Sequence, residues 1–396
     1  MHRGLTQRQT LSLLDDAATV RKLEFNLRRN TELDHTDAID AAARDFVYAD
    51  CRDVYWNPED YSLLWGTPLW EQATPAQRVV LNQLYWVAYY AQIVSAEIAT
   101  IFLNQVSAAG LYALEDFRLV CDNLDLESRQ ERAHINAFKT LGEAVEYELF
   151  GERLFTYPMR SLFDHTMIYA DTTAARNFWR RLQIRGFMLI ASGNAFLASQ
   201  YLLIRGLRTL NGKLVQHQLS RHYLDLDEAA RATAPIPSRI NYYHFMDESF
   251  HFNTSRVVGL EVPRSIAPPS RFERWVVDRA VRGCQDDHAN ASVVVNGIFW
   301  YDPAALPTIY KLFRSKVFGM DRGEALAMLD ACFGRESEGL HAALRTQATA
   351  ADSYAAFVEP VNWLAADNRD MRHMKRNSAA RYLANNRTAL QRFRPA

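Results

Sequence analysis

Two short strings carry the chemistry of this sequence, Glu131-Arg132-Ala133-His134 and Glu248-Ser249-Phe250-His251. Each sets a carboxylate and an imidazole three residues apart, so on a helix both project from one face. His244 stands one helical turn before Glu248, and Glu97 lies 34 residues before Glu131 in a long apolar segment. A helix rising about 1.5 Å per residue that turns and returns over that count comes back to the same depth. Glu97 and Glu131 therefore face each other if their helices are antiparallel. Carboxylates and imidazoles without a thiolate favour iron or manganese over a structural zinc site. Burying such groups without a cation or partners costs several kcal/mol, roughly 2–7 for each uncompensated polar group. Asp247, directly before Glu248, is placed to accept a hydrogen bond from the outer nitrogen of a ligand imidazole. Gln130 holds the matching place before Glu131.

With 20 Glu and 11 His in the chain, random placement gives roughly half a Glu-x-x-His. There are three. The third, Glu338-Gly339-Leu340-His341, sits in a short polar segment with a glycine inside it and reads as surface helix. The other two lie in apolar-backed helices with further ligand candidates at bundle spacing. The plainer readings are a solvated pair for Glu131 and His134, a core histidine for His244 and an ion-pair partner for Asp247.

The elements that must position these residues are helices. Runs rich in Ala, Leu, Arg, Glu and Gln, with apolar residues recurring at three and four, predict helices over 24–44, 74–114, 115–150, 173–210, 238–258 and 270–290. Shorter ones follow Pro303. Alternating β-branched runs are nearly absent. The predicted fold is all-α, a four-helix bundle core with additional peripheral helices. Residues 1–300 would form the bundle with its N-terminal helices, and 301–396 a helical C-terminal extension or part of the same domain. An inward Glu plus a Glu-x-x-His from each half of such a bundle is how ferritin-like proteins hold two irons.

Composition excludes several function classes. A net charge of −1 gives no electrostatic case for nucleic acid or an anionic membrane. The four cysteines are scattered, so neither a zinc ribbon nor a disulfide framework is indicated, and a cytoplasmic location is expected. No apolar region follows Met1–Arg8, so no secretory signal is expected. The apolar stretch 84–114 carries Gln92, Glu97, Asn104 and Gln105 and reads as a buried bundle helix rather than a membrane span. The basic run 369–394 reads as a solvated helix with acidic partners nearby.

At these residues the chain resembles the p-aminobenzoate N-oxygenase family of ferritin-like di-iron proteins. Glu97, then Glu131 and His134, then His244, Asp247, Glu248 and His251 match that family's pattern. The resemblance covers about residues 55–260. It implies Glu97, Glu131, His134, His244, Glu248 and His251 as ligands of two non-haem irons, with manganese as an alternative at one site. It further implies O2 as co-substrate. One departure stands out. The family carries another Glu on its third long helix, whereas no Glu or Asp occurs here between Ala174 and Lys213. Asn194 is the nearest positional match, with Asp164, His165 and His217 as other candidates.

The leading expectation is a di-iron monooxygenase that oxidises a small organic substrate, by resemblance an amine. The alternatives are a hydroxylase, desaturase or C–C cleaving oxidase acting on carbon of an acyl or aromatic substrate, and a metal-binding helical protein without oxygenase activity. Glu97, Glu131 and Glu248 carry the catalytic role. Phe187, Phe196 and Tyr243 are candidate pocket residues, with core packing favoured for each. The expected partners are the small-molecule substrate and an external electron donor of the reductase or ferredoxin type; a homodimer is compatible with the sequence.

Overall fold

The computed structural model of the chain describes residues 12–112, 114–155, 174–290, 295–301 and 305–395. Asp164 and His165 lie outside them. The described residues form sixteen α-helices and no strand, so the all-α expectation holds.

Four long helices make the core: α4 (Pro75–Leu111), α5 (Arg118–Phe150), α7 (Ala195–Leu224) and α9 (Ile236–Leu260). They follow three short helices, α1 (Ala17–Glu32), α2 (Thr36–Arg44) and α3 (Pro68–Gln72). Helix α6 (Ala174–Ala191) precedes α7, and α8 (Glu228–Ala232) precedes α9. In the core, α4 packs along α5 and α7 along α9, while α4 touches α7 and α5 touches α9. Helices α1 and α2 cover the outer side of α5 and α9, and α6 lies on α7 and α4.

Local signals account for the ends of these helices. Thr74 and Gln77 form a reciprocal capping box at the start of α4, with Pro75 in the first turn. Gly151, at φ +72°, ends α5 in the left-handed conformation. The single helix expected over 173–210 is two helices. The chain leaves α6 at Ser192 and Gly193, and Asn194 then caps α7 by accepting from the Leu197 N–H at 2.9 Å. The aromatic-rich loop before α4 is tied down by Asn82, whose side-chain oxygen accepts from the Trp56 and Asn57 N–H groups at 2.8 and 3.0 Å.

Helix α4 is long and apolar enough to cross a membrane by length and composition. It is instead a bundle core helix with Asn82, Gln83, Glu97 and Asn104 buried. The apolar core falls into two large clusters. One holds Leu81–Tyr90 and Val94 of α4, Ala133–Val145 of α5, Val215 and Leu219 of α7 and Ile240 of α9. The other holds Ala108 and Leu111, Val120–Leu124, Leu197–Leu207 and Val257–Val258 of the same four helices. Between them a polar layer crosses the bundle at one height.

The remaining helices are α10 (Arg271–Asn290), α11 (Val295–Tyr301), α12 (Leu306–Arg314), α13 (Arg322–Phe333), α14 (Glu338–Val358), α15 (Ala366–Arg369) and α16 (Ala379–Arg392). Helices α10 and α14 pack on α7, and α11 on α14 and α16. The C-terminal basic run meets acidic side chains, with Lys375 at 2.9 Å from Asp352 and Arg376 at 3.1 Å from Asp286.

The α7–α9 contact depends on a small residue. A Cβ at Gly259 would lie 2.8 Å from the backbone N and Cα of Leu203, closer than packed atoms allow. Gly283 of α10 has nothing within 4 Å of such an atom. Gly259→Ala should therefore lower the urea midpoint by the equivalent of about 1–3 kcal/mol with an unchanged slope. Gly283→Ala should be neutral or stabilising by about 0.4–1 kcal/mol. Equal midpoints for the two variants would contradict this packing.

Candidate metal centre

The polar layer gathers all six side chains marked by the sequence. Glu97 comes from α4, Glu131 and His134 from α5, and His244, Glu248 and His251 from α9; each is at most 7% exposed. His244 Nε2 lies 3.1 Å from Glu97 Oε1 and 3.8 Å from Glu248 Oε1. His134 Nδ1 is 3.6 Å from Glu97 Oε1 and 3.5 Å from Glu131 Oε2. His251 Nδ1 is 2.8 Å from Glu248 Oε1 and 3.4 Å from Glu131 Oε1. The donor atoms fall into two overlapping groups, each within 4.8 Å: Glu97, His134, His244 and Glu248, then Glu131, Glu248 and His251. Glu248 belongs to both.

The inner nitrogens converge because the outer ones are held. His134 Nε2 donates to Asp247 Oδ2 at 3.1 Å, and the other oxygen of Asp247 takes the His35 Nδ1 at 2.9 Å. His251 Nε2 donates to Gln130 Oε1 at 2.9 Å, and Gln130 is fixed by a reciprocal amide pair with Asn30 at 3.0 and 2.8 Å. The Gln216 amide stands 3.5 Å from His244 Nδ1. Outer partners of this kind fix the ring orientation of metal-bound histidines.

The charges show why the cluster suits cations. Burial raises Glu97 well above the usual carboxylate range, and the neighbouring Glu131 charge adds to that. Burial opposes ionisation of Glu131 as well, but the His251 charge and hydrogen bonds from His134 and His251 hold it near 2. His134 and His251 are raised well above the ordinary imidazole value. Burial works against this, and is outweighed by hydrogen bonds to Asp247, Glu131 and Glu97 for His134 and by the charges of Glu248 and Glu131 for His251. Burial, reinforced by the charge on His134, lowers His244 to about 3. Protons thus stand in for cations in the metal-free cluster. Glu97 Oε2 is buried without a partner, and Glu131 Oε2 and His134 Nδ1 have only the long contacts at 3.5 and 3.6 Å given above. A two-cation centre would use such atoms as ligands, so the residues fit the metal.

The nearest buried cation is spent elsewhere. Arg205 of α7 pairs with Glu127 at 2.5 Å and donates to Asn104 Oδ1, Ser255 Oγ and the His251 carbonyl at 2.9, 2.8 and 3.0 Å. This pair and His35 escaped the sequence reading. An arginine in the apolar run of α7 is a visible sign of an internal carboxylate partner. His35, in a polar linker, gives no local sign at all.

Asn194 and His217 need correction, whereas the core and surface readings of the other side chains hold. Asn194 is not at the cluster: its oxygen caps α7 and its amide nitrogen donates to Glu273 at 2.6 Å, so both ends are used structurally. His217 is exposed and faces Phe245. Phe196 packs against Trp363 in the core, Phe187 lies partly buried beside it, and Tyr243 stacks on His35 at 5.1 Å. Glu338 is exposed and paired with Arg345, while His341 lies 3.4 Å from Glu336, away from the centre.

The model of the acyl halogenase CylC-like family matches residues 18–394. The chain belongs to this family. No curated protein and no solved structure matches it. The match overturns the resemblance to the p-aminobenzoate N-oxygenases. The shared carboxylate–histidine spacing describes a way to hold metal and says little about the substrate. Halogenation at carbon is an oxidation, so the family remains one of oxidative enzymes, and the buried cluster is compatible with iron.

Because cations must displace protons from His134 and His251, metal affinity should fall as the pH is lowered. Calorimetry in buffers of different ionisation enthalpy should show protons released on Fe(II) binding. Asp247→Asn should weaken binding about 10–100-fold. Glu248→Ala should deplete both ions, because both groups use that carboxylate. Asn194→Ala should leave metal content unchanged and destabilise the fold by about 0.5–2 kcal/mol. Metal loss in Asn194→Ala, or full loading of Glu248→Ala, would contradict the geometry.

Proposed function

We propose that this protein halogenates carbon of an acyl substrate, using two non-haem iron ions held by Glu97, Glu131, His134, His244, Glu248 and His251, with manganese as an alternative at one site. The observation that carries this reading is the match to acyl halogenases over residues 18–394, joined to a buried donor set with atoms left to bind cations. Replacing C–H by C–halogen removes two electrons from the substrate. With dioxygen as oxidant the balance is R–H + X⁻ + O2 + 2e⁻ + 3H⁺ → R–X + 2H2O, where X⁻ is a halide. The two added electrons come from an external reductase or ferredoxin-like carrier. The bound ions supply the redox chemistry that activates dioxygen.

The chain's own residues bind, orient and exclude water. Glu248 spans both donor groups and sets their separation. Asp247, Gln130 and Gln216 aim the three imidazoles inward. The rings of Phe138 and Tyr90 lie 5.0 and 5.5 Å from His244 and close one side of the site with apolar surface. On the other side, the residues following Glu97 on α4 are apolar and incompletely covered. Ile98 is 36% exposed, and Phe102 and Leu103 pack with Met188 of α6. A strip of this kind beside the donor set suits an alkyl chain. All four cysteines are buried thiols, which suits a reducing cytoplasm.

The test is product analysis. Iron-loaded protein given O2, a chemical or protein reductant, chloride or bromide, and a panel of fatty acids and fatty acyl thioesters should yield an acyl product with the halogen isotope pattern. His251→Ala should abolish it. A product carrying oxygen in place of halogen would replace the proposal with the hydroxylase alternative. Unchanged acyl substrates in the presence of fully loaded protein would remove the acyl reading.

A further inference from the structure

The α7–α9 contact has a register that identifies what α7 presents to the centre. Arg205 of α7 bonds Ser255 and the His251 carbonyl, and further along α7 Gln216 approaches His244. The helices run antiparallel between these contacts. Four residues before Gln216 is Gly212, and four residues after His244 is Glu248, so the two are level. The place on α7 facing the carboxylate common to both donor groups is thus held by a residue with no side chain.

Packing does not require a glycine there. On the same interface Gly259 is forced, since an added Cβ would meet the Leu203 backbone at 2.8 Å, and at Gly206 it would meet Phe357 of α14 at 2.8 Å and Ser255 of α9 at 3.2 Å. At Gly212 the nearest atoms to such a Cβ are Gln216 Nε2 and Tyr89 Oη, both at 3.9 Å, an ordinary contact distance. Gly212 is buried inside a helix, where glycine is less favourable than alanine. Its backbone carbonyl accepts from the Tyr89 hydroxyl at 3.5 Å. With the Tyr89 proton on that carbonyl, the Gln216 amide is the hydrogen-bond donor that borders the gap. The phenol of Tyr89 is kept protonated by burial and by the charges of Glu248 and Glu97. Gln216 is 3% exposed, and its oxygen has no partner.

Charge points the same way. Three carboxylates, Glu97, Glu131 and Glu248, would meet two divalent cations, leaving the ligand sphere one positive charge in excess. Asp247 lies outside that sphere, with its two oxygens on the His134 and His35 rings. A fourth carboxylate on α7 would neutralise the sphere and fill the space. Its absence leaves space at Gly212 and an unmatched charge, bordered by the Gln216 N–H donor.

We propose that the gap at Gly212 is the halide site: a chloride or bromide ion seated against the metal ions between Gly212 and Glu248, with the Gln216 amide as its hydrogen-bond donor. The identity of the anion rests on the acyl-halogenation reading; the vacant position and the excess charge do not. A monoatomic anion satisfies the charge without needing the volume of a side chain.

Crystals of the full-length, metal-loaded protein soaked in bromide should show an anomalous bromine peak beside Gly212, within bonding reach of a metal. In cobalt-substituted protein, bromide should shift the visible bands saturably. Gly212→Glu should keep both metals and lose both signals, and Gly212→Ala, the milder variant if the first does not fold, should bind bromide at least tenfold more weakly. No bromine peak at Gly212 in metal-loaded wild-type crystals, or an undiminished band shift in both variants, would overturn the site. Halogenated product together with an empty position would strike this inference and leave the reaction standing. A bromine peak without any halogenated product would keep the anion site and remove the reaction.

Discussion

Six ionisable side chains share a layer from which water is excluded, and the rest of the bundle is arranged around that constraint. Isolated carboxylates do not stay ionised in an apolar medium without a counter-charge. Glu97, Glu131 and Glu248 are therefore tolerable only with protons or cations among them. In the metal-free cluster Glu97 is pushed towards its neutral form, and His134 and His251 are held charged. Cations do the same electrostatic work at the same donor atoms.

The two apolar clusters follow from this constraint. The donor residues lie between one apolar cluster and the other, so the layer is sealed at both ends. Lateral closure comes from α1, α2 and α7. Asn30 fixes Gln130, His35 holds Asp247, and Arg205 neutralises Glu127. These contacts set ring orientation and prevent a second buried carboxylate from disturbing the cluster. Asp247 and Glu127 are thus already partnered within the protein, and the donor set is left as the place where an ion has an effect.

The donor set was legible because ligands on one helix obey its period. Glu131 with His134, and His244 with Glu248 and His251, are local patterns, and the 34-residue return to Glu97 follows from helix rise. Asn194 was misread because the break at Ser192–Gly193 was passed over, and a residue capping α7 was placed inside a helix. His35 reaches Asp247 across 212 residues, and nothing in its neighbourhood marks that contact. The N-oxygenase resemblance failed for a related reason. It rested on ligand spacing, which is shared by metal sites acting on different substrates, and it stopped near residue 260, whereas the family match runs to 394.

By itself, the sequence determined an all-helical chain and two helix-borne ligand stripes, because helix formation and side-chain direction depend on residues three and four apart. Only the tertiary structure decided which stripe faces which, which outer groups aim the imidazoles, and that α7 brings Gly212 rather than an acid level with Glu248. A missing side chain has no pattern of its own. It acquires meaning when antiparallel packing sets it opposite a carboxylate whose charge must be matched.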